Sequence, residues 1–134
     1  AGIPYLPVDI VAAEDCTVMF LNGKKLLNTC DNGCKFHHTL VRNLLGIVAQ
    51  NNMYLNQKIK YTSRKTTREK LMTYLNDQAK MKGSNDFTIP FNRQELADYL
   101  GVERSAMSAE LGKLTKLGIL RTQRSHFTLL KPLD

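Results

Sequence analysis

The chain has 134 residues and a mass of 15.2 kDa, enough for one or two small domains. Its hydrophobic fraction of 43% and charged fraction of 23% are typical of globular proteins and exclude a wholly disordered chain. No apolar run approaches the roughly 18 residues of a membrane span, and the start lacks a signal-peptide pattern, so we expect a cytoplasmic protein that does not enter the membrane. Three cysteines favour a reducing compartment over a disulfide framework.

The positive charge is confined to the second part of the chain. The formal net charge is +7, but residues 1–57 contain four basic and four acidic side chains and are neutral. Residues 58–134 contain fifteen basic and eight acidic side chains and therefore carry the whole excess. This asymmetry favours a polyanion-binding module attached to a neutral one, although a solvated basic face would give the same count.

The first segment has the pattern of two strands followed by a helix. Val8–Val11 and Thr17–Leu21 are predicted as short strands, and Asn22–Thr29 as a short helix. Two strands and one helix cannot bury a core alone. We therefore interpret residues 1–33 as the end of a larger β domain and the chain as a fragment of a longer protein; the alternative is that they pack on the later part of the chain.

A long helix is predicted over Gly33–Arg64, which contains no proline and one interior glycine. One stripe of its side chains recurs at alternating steps of four and three, the spacing of a two-helix coiled-coil seam. The seam consists of Val41, Leu45, Val48, Asn52, Leu55, Ile59 and Thr62. A second apolar stripe consists of Phe36, Leu40, Leu44 and Ile47. Two apolar faces need two partners, so we expect a homodimer; a buried helix in a monomer is the alternative.

The segment after the long helix combines another helix with a short strand. Thr66 or Thr67 is predicted to cap this helix, which ends before the loop at Gly83. Its buried stripe would include Leu71 and Leu75. Phe87–Pro90 is predicted as an edge strand, because proline cannot donate a hydrogen bond within a sheet.

Residues 91–118 have the pattern of a helix-turn-helix. Asn92 and Glu95 have the spacing of a capping box, and Gly101 can adopt the positive φ that ends the first helix in a tight turn. The second helix would begin near Arg104. The inward side chains of the two helices would be Leu96, Ala97, Leu100, Met107, Leu111 and Leu114.

Two short strands predict a wing after the second helix. They are Ile119–Leu120 and Phe127–Leu130, joined by Arg121–His126. Helix, turn, helix and hairpin in this order, inside a basic region, predict a winged helix-turn-helix that binds double-stranded DNA. The alternative is a winged helix used only for contacts with proteins.

The N-terminus of the second helix would enter the major groove of DNA. Arg104 is the candidate base reader, because a guanidinium can bridge O6 and N7 of guanine and contribute about 1–3 kcal/mol of discrimination. Ser105 and Ala109 lie on the same outward side. Contacts to phosphates would position the protein without specifying sequence. The candidates for these contacts are Arg93, Gln94, Ser108, Lys113, Lys116, Arg121 and Arg124.

With these residues the sequence resembles the CRP/FNR family of bacterial transcription regulators, over nearly the whole chain. Residues 93–111 match the family's R-Q-E-[IL]-A-x-x-[LV]-G-x-x-R-x-x-[VLM]-[SG]-R-x-[LI] pattern, except that Ala109 replaces the usual arginine. The resemblance implies a mainly α fold with a small β component (α+β). Residues 1–33 would end a cyclic-nucleotide-binding-like β-roll, residues 34–64 would be the central dimerisation helix, and residues 65–134 the winged helix-turn-helix domain.

The resemblance also implies roles for single residues. Arg93 and Gln94 fall on the family's backbone-contacting pair. Arg104, Ser105 and Ala109 fall on its base-reading positions, where Arg104 alone matches in type and Ser105 replaces a frequent glutamate. The implied function is a homodimer that binds a two-fold operator and works with RNA polymerase.

The resemblance further implies an effector bound in the β-roll. Met53 and Tyr54 stand where the family's central helix faces a cyclic nucleotide. They differ from the paired threonine and serine of the cyclic-AMP receptor, so we expect a different small-molecule effector, whose identity the sequence does not give.

Cysteines and histidines form a C-x3-C-x2-H-H cluster of Cys30, Cys34, His37 and His38. Such side chains can bind zinc or sense redox state, but the spacing fits no standard zinc-finger signature. We expect no metal or cofactor, and a thiol- or metal-based redox sensor stays open as an alternative. An enzyme is not expected, because no nucleophile elbow, phosphate loop or paired-carboxylate site is recognisable.

Overall fold

The structure is a computed structural model that describes residues 9–24 and 34–131, and its contacts divide the chain into two units after Gly46. The described elements are α1 (Lys35–Thr62), α2 (Thr67–Lys82), β1 (Asp86–Thr88), α3 (Arg93–Leu100), α4 (Arg104–Lys116), β2 (Leu120–Gln123) and β3 (His126–Leu129). Four helices and a small antiparallel sheet confirm the predicted α+β class with mainly helical content.

The strands predicted near the start of the chain are not formed in the described residues. Residues 9–22 contain no strand, and every described residue from 9 to 24 is exposed. The physical reason is that a strand needs a hydrogen-bonded neighbour and an apolar surface to cover, and an isolated hairpin has neither. Of the predicted helix Asn22–Thr29, Gly23 and Lys24 are helical; Val8 and residues 25–33 lie outside the described part of the chain.

The long helix α1 begins and ends within two residues of its predicted bounds. Of its 28 residues, Tyr61 alone is buried. Leu45, Val48, Leu55 and Ile59 of the predicted seam are each more than half exposed. The side chain of Asn56 donates a hydrogen bond to the side-chain oxygen of Asn52, a polar residue of the seam, at 2.6 Å. From the second predicted stripe, Phe36 and Ile47 are also mostly exposed.

The second unit has its own hydrophobic core, formed by α2, α3, α4, the sheet and Tyr61 at the end of α1. The capping box predicted for α2 is present, since the Thr66 hydroxyl accepts from the backbone N–H of Glu69 and the Glu69 carboxylate accepts from that of Thr66. The helix ends at Gly83, whose φ of 64° is left-handed. Leu71 and Leu75 are completely buried, as their spacing predicts.

The sheet has the strand order β1-β3-β2, and both neighbouring pairs are antiparallel. The edge strand predicted at Phe87–Pro90 is observed one residue earlier, and it ends before Pro90. The predicted wing loop Arg121–His126 is wrong in length, because the ladder continues to the pair Gln123↔His126 and leaves a two-residue turn. Polar residues there favoured a loop, but pairing across the strands determined the conformation.

Within residues 9–24 and 34–131, none of the helices combines the length and the hydropathy needed to cross a lipid bilayer.

Candidate nucleic-acid interface

The helix-turn-helix consists of α3, a tight turn at Gly101 and α4. The Asn92 side chain accepts from the backbone N–H of Glu95 at 3.0 Å, and the Glu95 carboxylate accepts from that of Asn92 at 2.7 Å. This capping box fixes the start of α3. Gly101 has a φ of 59°, and its N–H donates to the carbonyl groups of Ala97 and Asp98, so the chain reverses into α4 as predicted.

Helix α4 buries one side in the core and presents the other to solvent. Met107, Leu111 and Leu114 face inward, which confirms their prediction as core residues. The four outward residues of its first two turns are all exposed: Arg104, Ser105, Ser108 and Ala109. The first turn begins with Arg104 and contains no acidic residue, and the N-cap residue Glu103 makes no side-chain capping hydrogen bond. This end can approach a polyanion.

A groove runs between α4 and the wing, which is the β2–β3 hairpin. Ser108, Gly112 and Lys116 line it from α4, and Arg93 and Thr122 line it from α3 and β2. Three of the predicted phosphate contacts, Arg93, Ser108 and Lys116, are therefore brought to one groove. A Cβ built at Gly112 would have no neighbouring atom within 4 Å, so this part of α4 leaves room for a bound molecule in the groove.

Arg93 is held inside this groove by residues of the wing. Its Nη2 donates to Thr122 Oγ1 at 2.6 Å, and its Cζ lies 4.9 Å from the centroid of the Phe127 ring. Its Nη1 is buried and has no hydrogen-bond partner. Burial lowers the pKa of the Arg93 guanidinium, from a value so high that the group stays charged at neutral pH.

The other candidates for phosphate contacts are exposed but are not gathered at the groove. Gln94 donates to the carboxylate of Asp98 at 2.9 Å. The Lys113 ammonium lies 3.4 Å from the Glu110 carboxylate, on the flank of α4. Because Arg121 pairs with Thr128, it shares the sheet face opposite to the one that carries Phe127.

Arg124 occupies the tip of the wing, as the first residue of its two-residue turn. Its φ is 53°, the only positive φ of a residue other than glycine in the described residues. This conformation is uncommon for a residue with a Cβ. The neighbouring Ser125 is anchored, because its hydroxyl donates to the carbonyl of Phe91 at 2.9 Å and its own carbonyl accepts from the N–H of Ile89.

The predicted effector-facing residues lie on the surface of α1, with Met53 65% and Tyr54 49% exposed. The Tyr54 ring contacts Tyr99 of α3, with 5.9 Å between centroids. Tyr99 also packs on Tyr61 and Tyr74, and burial raises the pKa of each of these three phenols. These rings connect α1 to the helix-turn-helix, a link that sequence reasoning did not find.

The cysteine and histidine cluster is described only in part, because Cys30 lies outside the described residues. Cys34 is half-buried and not disulfide-bonded, and its carbonyl accepts from the backbone N–H of His38. In residues 9–24 and 34–131, no three histidine, cysteine, aspartate or glutamate side chains come close enough to hold a metal ion.

Sequence reasoning missed Thr122 and Ser125, because it placed both in a wing loop. The signal that could have found Thr122 is the period of two in Leu120, Thr122 and, on the other strand, Phe127 and Leu129, which puts all four on one face of a hairpin. No sequence pattern pointed to the pairing of Thr122 with Arg93, which are 29 residues apart.

Comparison with known proteins identifies the part of the second unit that follows α1. Residues 69–133 match the family described as Crp-like helix-turn-helix domain. No curated protein matches the chain. Two similar solved structures are a Crp/Fnr-family transcriptional regulator from Eubacterium rectale (16% identity, TM-score 0.48) and the reduced (FeII) CO-sensing protein from R. rubrum (18% identity, TM-score 0.36).

These two structures cover 75% and 73% of this chain, which spans only 44% and 47% of theirs. The match of residues 69–133 agrees with the helix-turn-helix geometry that starts at Asn92 and with the wing after it. Residues 69–133, just under half of the chain, therefore form a domain of the Crp-like helix-turn-helix family.

Proposed function

We propose that this protein binds a two-fold DNA operator as a homodimer and that α4 reads the sequence from its Arg104 end. The observation that carries the proposal is the exposed strip of Arg104, Ser105, Ser108 and Ala109 at the free end of α4, which is held rigidly by the core residues beneath it. Arg104 would bond guanine, and Ser105 a base edge or a phosphate. The net charge of residues 58–134 supplies the attraction to the DNA backbone.

The proposed homodimer is supported by the exposed seam of α1. Leu45, Val48, Leu55 and Ile59 each leave more than half of their surface uncovered, at a spacing that suits a second copy of the same helix. Asn52 would lie within this seam and fix the register. The predicted partner roles of RNA polymerase and of a small-molecule effector belong to the same proposal, with residues 1–33 as the end of the effector domain and the cytoplasm as the place of action.

The remaining phosphate contacts are proposed for exposed polar residues in and around the reading strip: Gln94, Ser108, Lys113, Lys116, Arg121 and Arg124. Each such contact would add to affinity for every sequence alike and would make it sensitive to salt. Met53 and Tyr54 are proposed to respond to the effector, and the contact of Tyr54 with Tyr99 offers a direct route from α1 to α3.

The test begins by selecting bound sequences from random 25-base-pair duplexes and measuring their affinity at several salt concentrations. Changing Arg104 to Ala should relax the preference at one position of each half-site, at about 1–3 kcal/mol. Lys113→Ala is the matched control, because it should weaken all duplexes alike and reduce the salt slope by about 0.9 per subunit.

Two outcomes would contradict the proposal. If the protein is not retained on any duplex even at low salt, the winged helix serves protein contacts instead. If Arg104→Ala and Lys113→Ala change preferred and random duplexes to the same extent, Arg104 does not read bases.

A further inference from the structure

Polar contacts attach the wing to the segment that begins α3. The Arg93 Nη2 donates to Thr122 Oγ1 at 2.6 Å, and the Ser125 hydroxyl donates to the Phe91 carbonyl at 2.9 Å. The backbone N–H of Ile89 donates to the Ser125 carbonyl, also at 2.9 Å. Thr122 in β2 and Ser125 in the hairpin turn are therefore bound to the chain just before α3 and at its start.

The guanidinium of Arg93 is committed to the wing rather than presented to solvent. Thr122 and Phe127 are directly opposite each other in the β2–β3 ladder, so their side chains share the face on which the guanidinium lies. The Thr122 hydroxyl donates to the His126 carbonyl at 3.1 Å, which leaves its lone pairs to accept from Arg93. A guanidinium can lie over a ring and at the same time donate a hydrogen bond from its rigid fork of N–H groups, whereas a compact ammonium does not offer this fixed arrangement.

The residue that these contacts hold in place is Arg124. It lies in the turn between Thr122 and Ser125, the two anchored residues, and its side chain is exposed. Its positive φ is disfavoured for a residue with a Cβ, so a hairpin released from α3 would be free to leave this conformation. A charged side chain at a fixed wing tip is placed to meet a backbone phosphate when α4 enters the major groove.

We propose that Arg93 is a positioning residue: through Thr122 and Phe127 it fixes the wing so that Arg124 contacts the DNA backbone. The inference rests on the proposed DNA binding, and it differs from the direct phosphate contact that the CRP/FNR resemblance implies for Arg93. In a direct contact the charge of residue 93 would matter. In a positioning role its planar shape matters, and the charge that reaches DNA belongs to Arg124.

The first test is Arg93→Lys, which keeps the charge and loses the planar group. We expect the salt slope of binding to a selected duplex to fall by about 0.9 per subunit, because the Arg124 contact is lost. Arg124→Gly should lower the slope equally, since glycine adopts the same φ and removes only the charged side chain. The double variant should lose no more than either single one. Thermal unfolding checks that each variant is folded.

The second test leaves Arg93 unchanged and works from the wing. Thr122→Val removes the hydroxyl that accepts from Arg93 Nη2. It should lower the salt slope of binding as much as Arg124→Gly does, and the two changes combined should lower the slope no further. Thr122→Ser keeps the hydroxyl and should restore the slope. Thr128→Val is the matched control, because the Thr128 hydroxyl is bonded to Asp86 on the opposite sheet face and the slope should not change.

An unchanged salt slope in Arg93→Lys and Thr122→Val, or an effect of Thr122→Val that adds fully to that of Arg124→Gly, would overturn the inference. If Arg104→Ala still relaxes the sequence preference in that case, the proposed reading of DNA by α4 is not contradicted. If Arg93→Lys does not fold, Thr122→Val, Thr122→Ser and Thr128→Val decide. A protein without salt-dependent binding to any duplex would overturn both proposals.

Discussion

Two neighbouring helices of the second unit, the end of α1 and the whole of α2, have opposite relations to the core. Both carry apolar side chains at helical spacing, yet α2 buries Leu71, Met72, Tyr74, Leu75 and Ala79, while α1 buries Tyr61 alone. Leu55 of α1 is 55% exposed and Leu75 of α2 is completely buried. Helical periodicity therefore predicts the element equally well in both, but it does not tell whether the apolar face is covered within one chain or by another molecule.

The largest expected effect is on the exposed seam. If a second copy covers α1, Leu55→Asp would remove two buried leucines and bring two carboxylates into the interface, a loss of more than about 5 kcal/mol per dimer. Sedimentation velocity should then show monomers. Met53→Asp is the matched control, because Met53 is similarly exposed but lies off the seam, and it should remain dimeric. If Leu55→Asp remains dimeric, a second copy of the chain does not cover the seam of α1.

The contrast between a buried and an exposed leucine can be tested within α4. Leu114 has no exposed surface, so Leu114→Ala should lower the free energy of unfolding by about 3 kcal/mol through lost burial and a cavity. Leu117, at the end of the same helix, is 59% exposed, and Leu117→Ala should change it by less than about 0.5 kcal/mol. Urea unfolding measures both. Equal losses would show that Leu117 is covered in solution.

Two glycines of the helix-turn-helix should respond in opposite ways to a change to alanine. Gly101→Ala should destabilise the fold by about 1–2 kcal/mol, because the φ of 59° in the turn between α3 and α4 is disfavoured for alanine. Gly112→Ala, within α4 and with open space around its Cβ position, should stabilise it by about 0.5–1 kcal/mol. Opposite shifts of the melting temperature are expected. A stabilising Gly101→Ala would exclude the tight turn.

The smallest effect concerns acid stability of the sheet. A hydrogen bond from Thr128, with a second one from His126, lowers the pKa of the Asp86 carboxyl, although partial desolvation acts in the opposite direction. A lowered pKa in the folded state stabilises the fold above the unfolded-state pKa of about 3.9, and this stabilisation is lost as the pH falls through the folded-state pKa. Asp86→Asn should flatten the profile of stability between pH 5 and about 3. An unchanged profile would show that the contacts of Asp86 do not persist in solution.

Local signals were sufficient for much of the second unit. The capping boxes at Thr66 and Asn92 and the glycines at 83 and 101 place helix ends correctly, because the atoms involved are within three or four residues of one another. The spacing of Leu96, Ala97, Met107 and Leu111 likewise predicts which sides of α3 and α4 are buried. In each of these cases the interaction that decides the conformation is encoded within a single turn of chain.

Sequence patterns failed to predict the structure where a residue's contact partner is distant in the sequence. The strands predicted at Val8–Val11 and Thr17–Leu21 have apolar sequence, but residues 9–11 and 17–21 have no sheet to join in the part of the chain that the structure describes. The wing loop was predicted too long, because pairing between Arg121 and Thr128 cannot be inferred from a polar hexapeptide. The contacts of Arg93 with Thr122 and Phe127 were likewise not predicted, because these residues are about 30 positions away in the sequence.

By itself the sequence determined the helices, the turn at Gly101, the basic second unit and the outward residues of α4, since periodicity, caps and charge act locally or in sum. Only the tertiary structure decided the length of the wing, the burial of the Arg93 guanidinium and the contact of Tyr54 with Tyr99. These features depend on which segments meet after folding. The burial of apolar surface brings those segments together, but it is not directional and leaves no local pattern in the sequence that would show which of them meet.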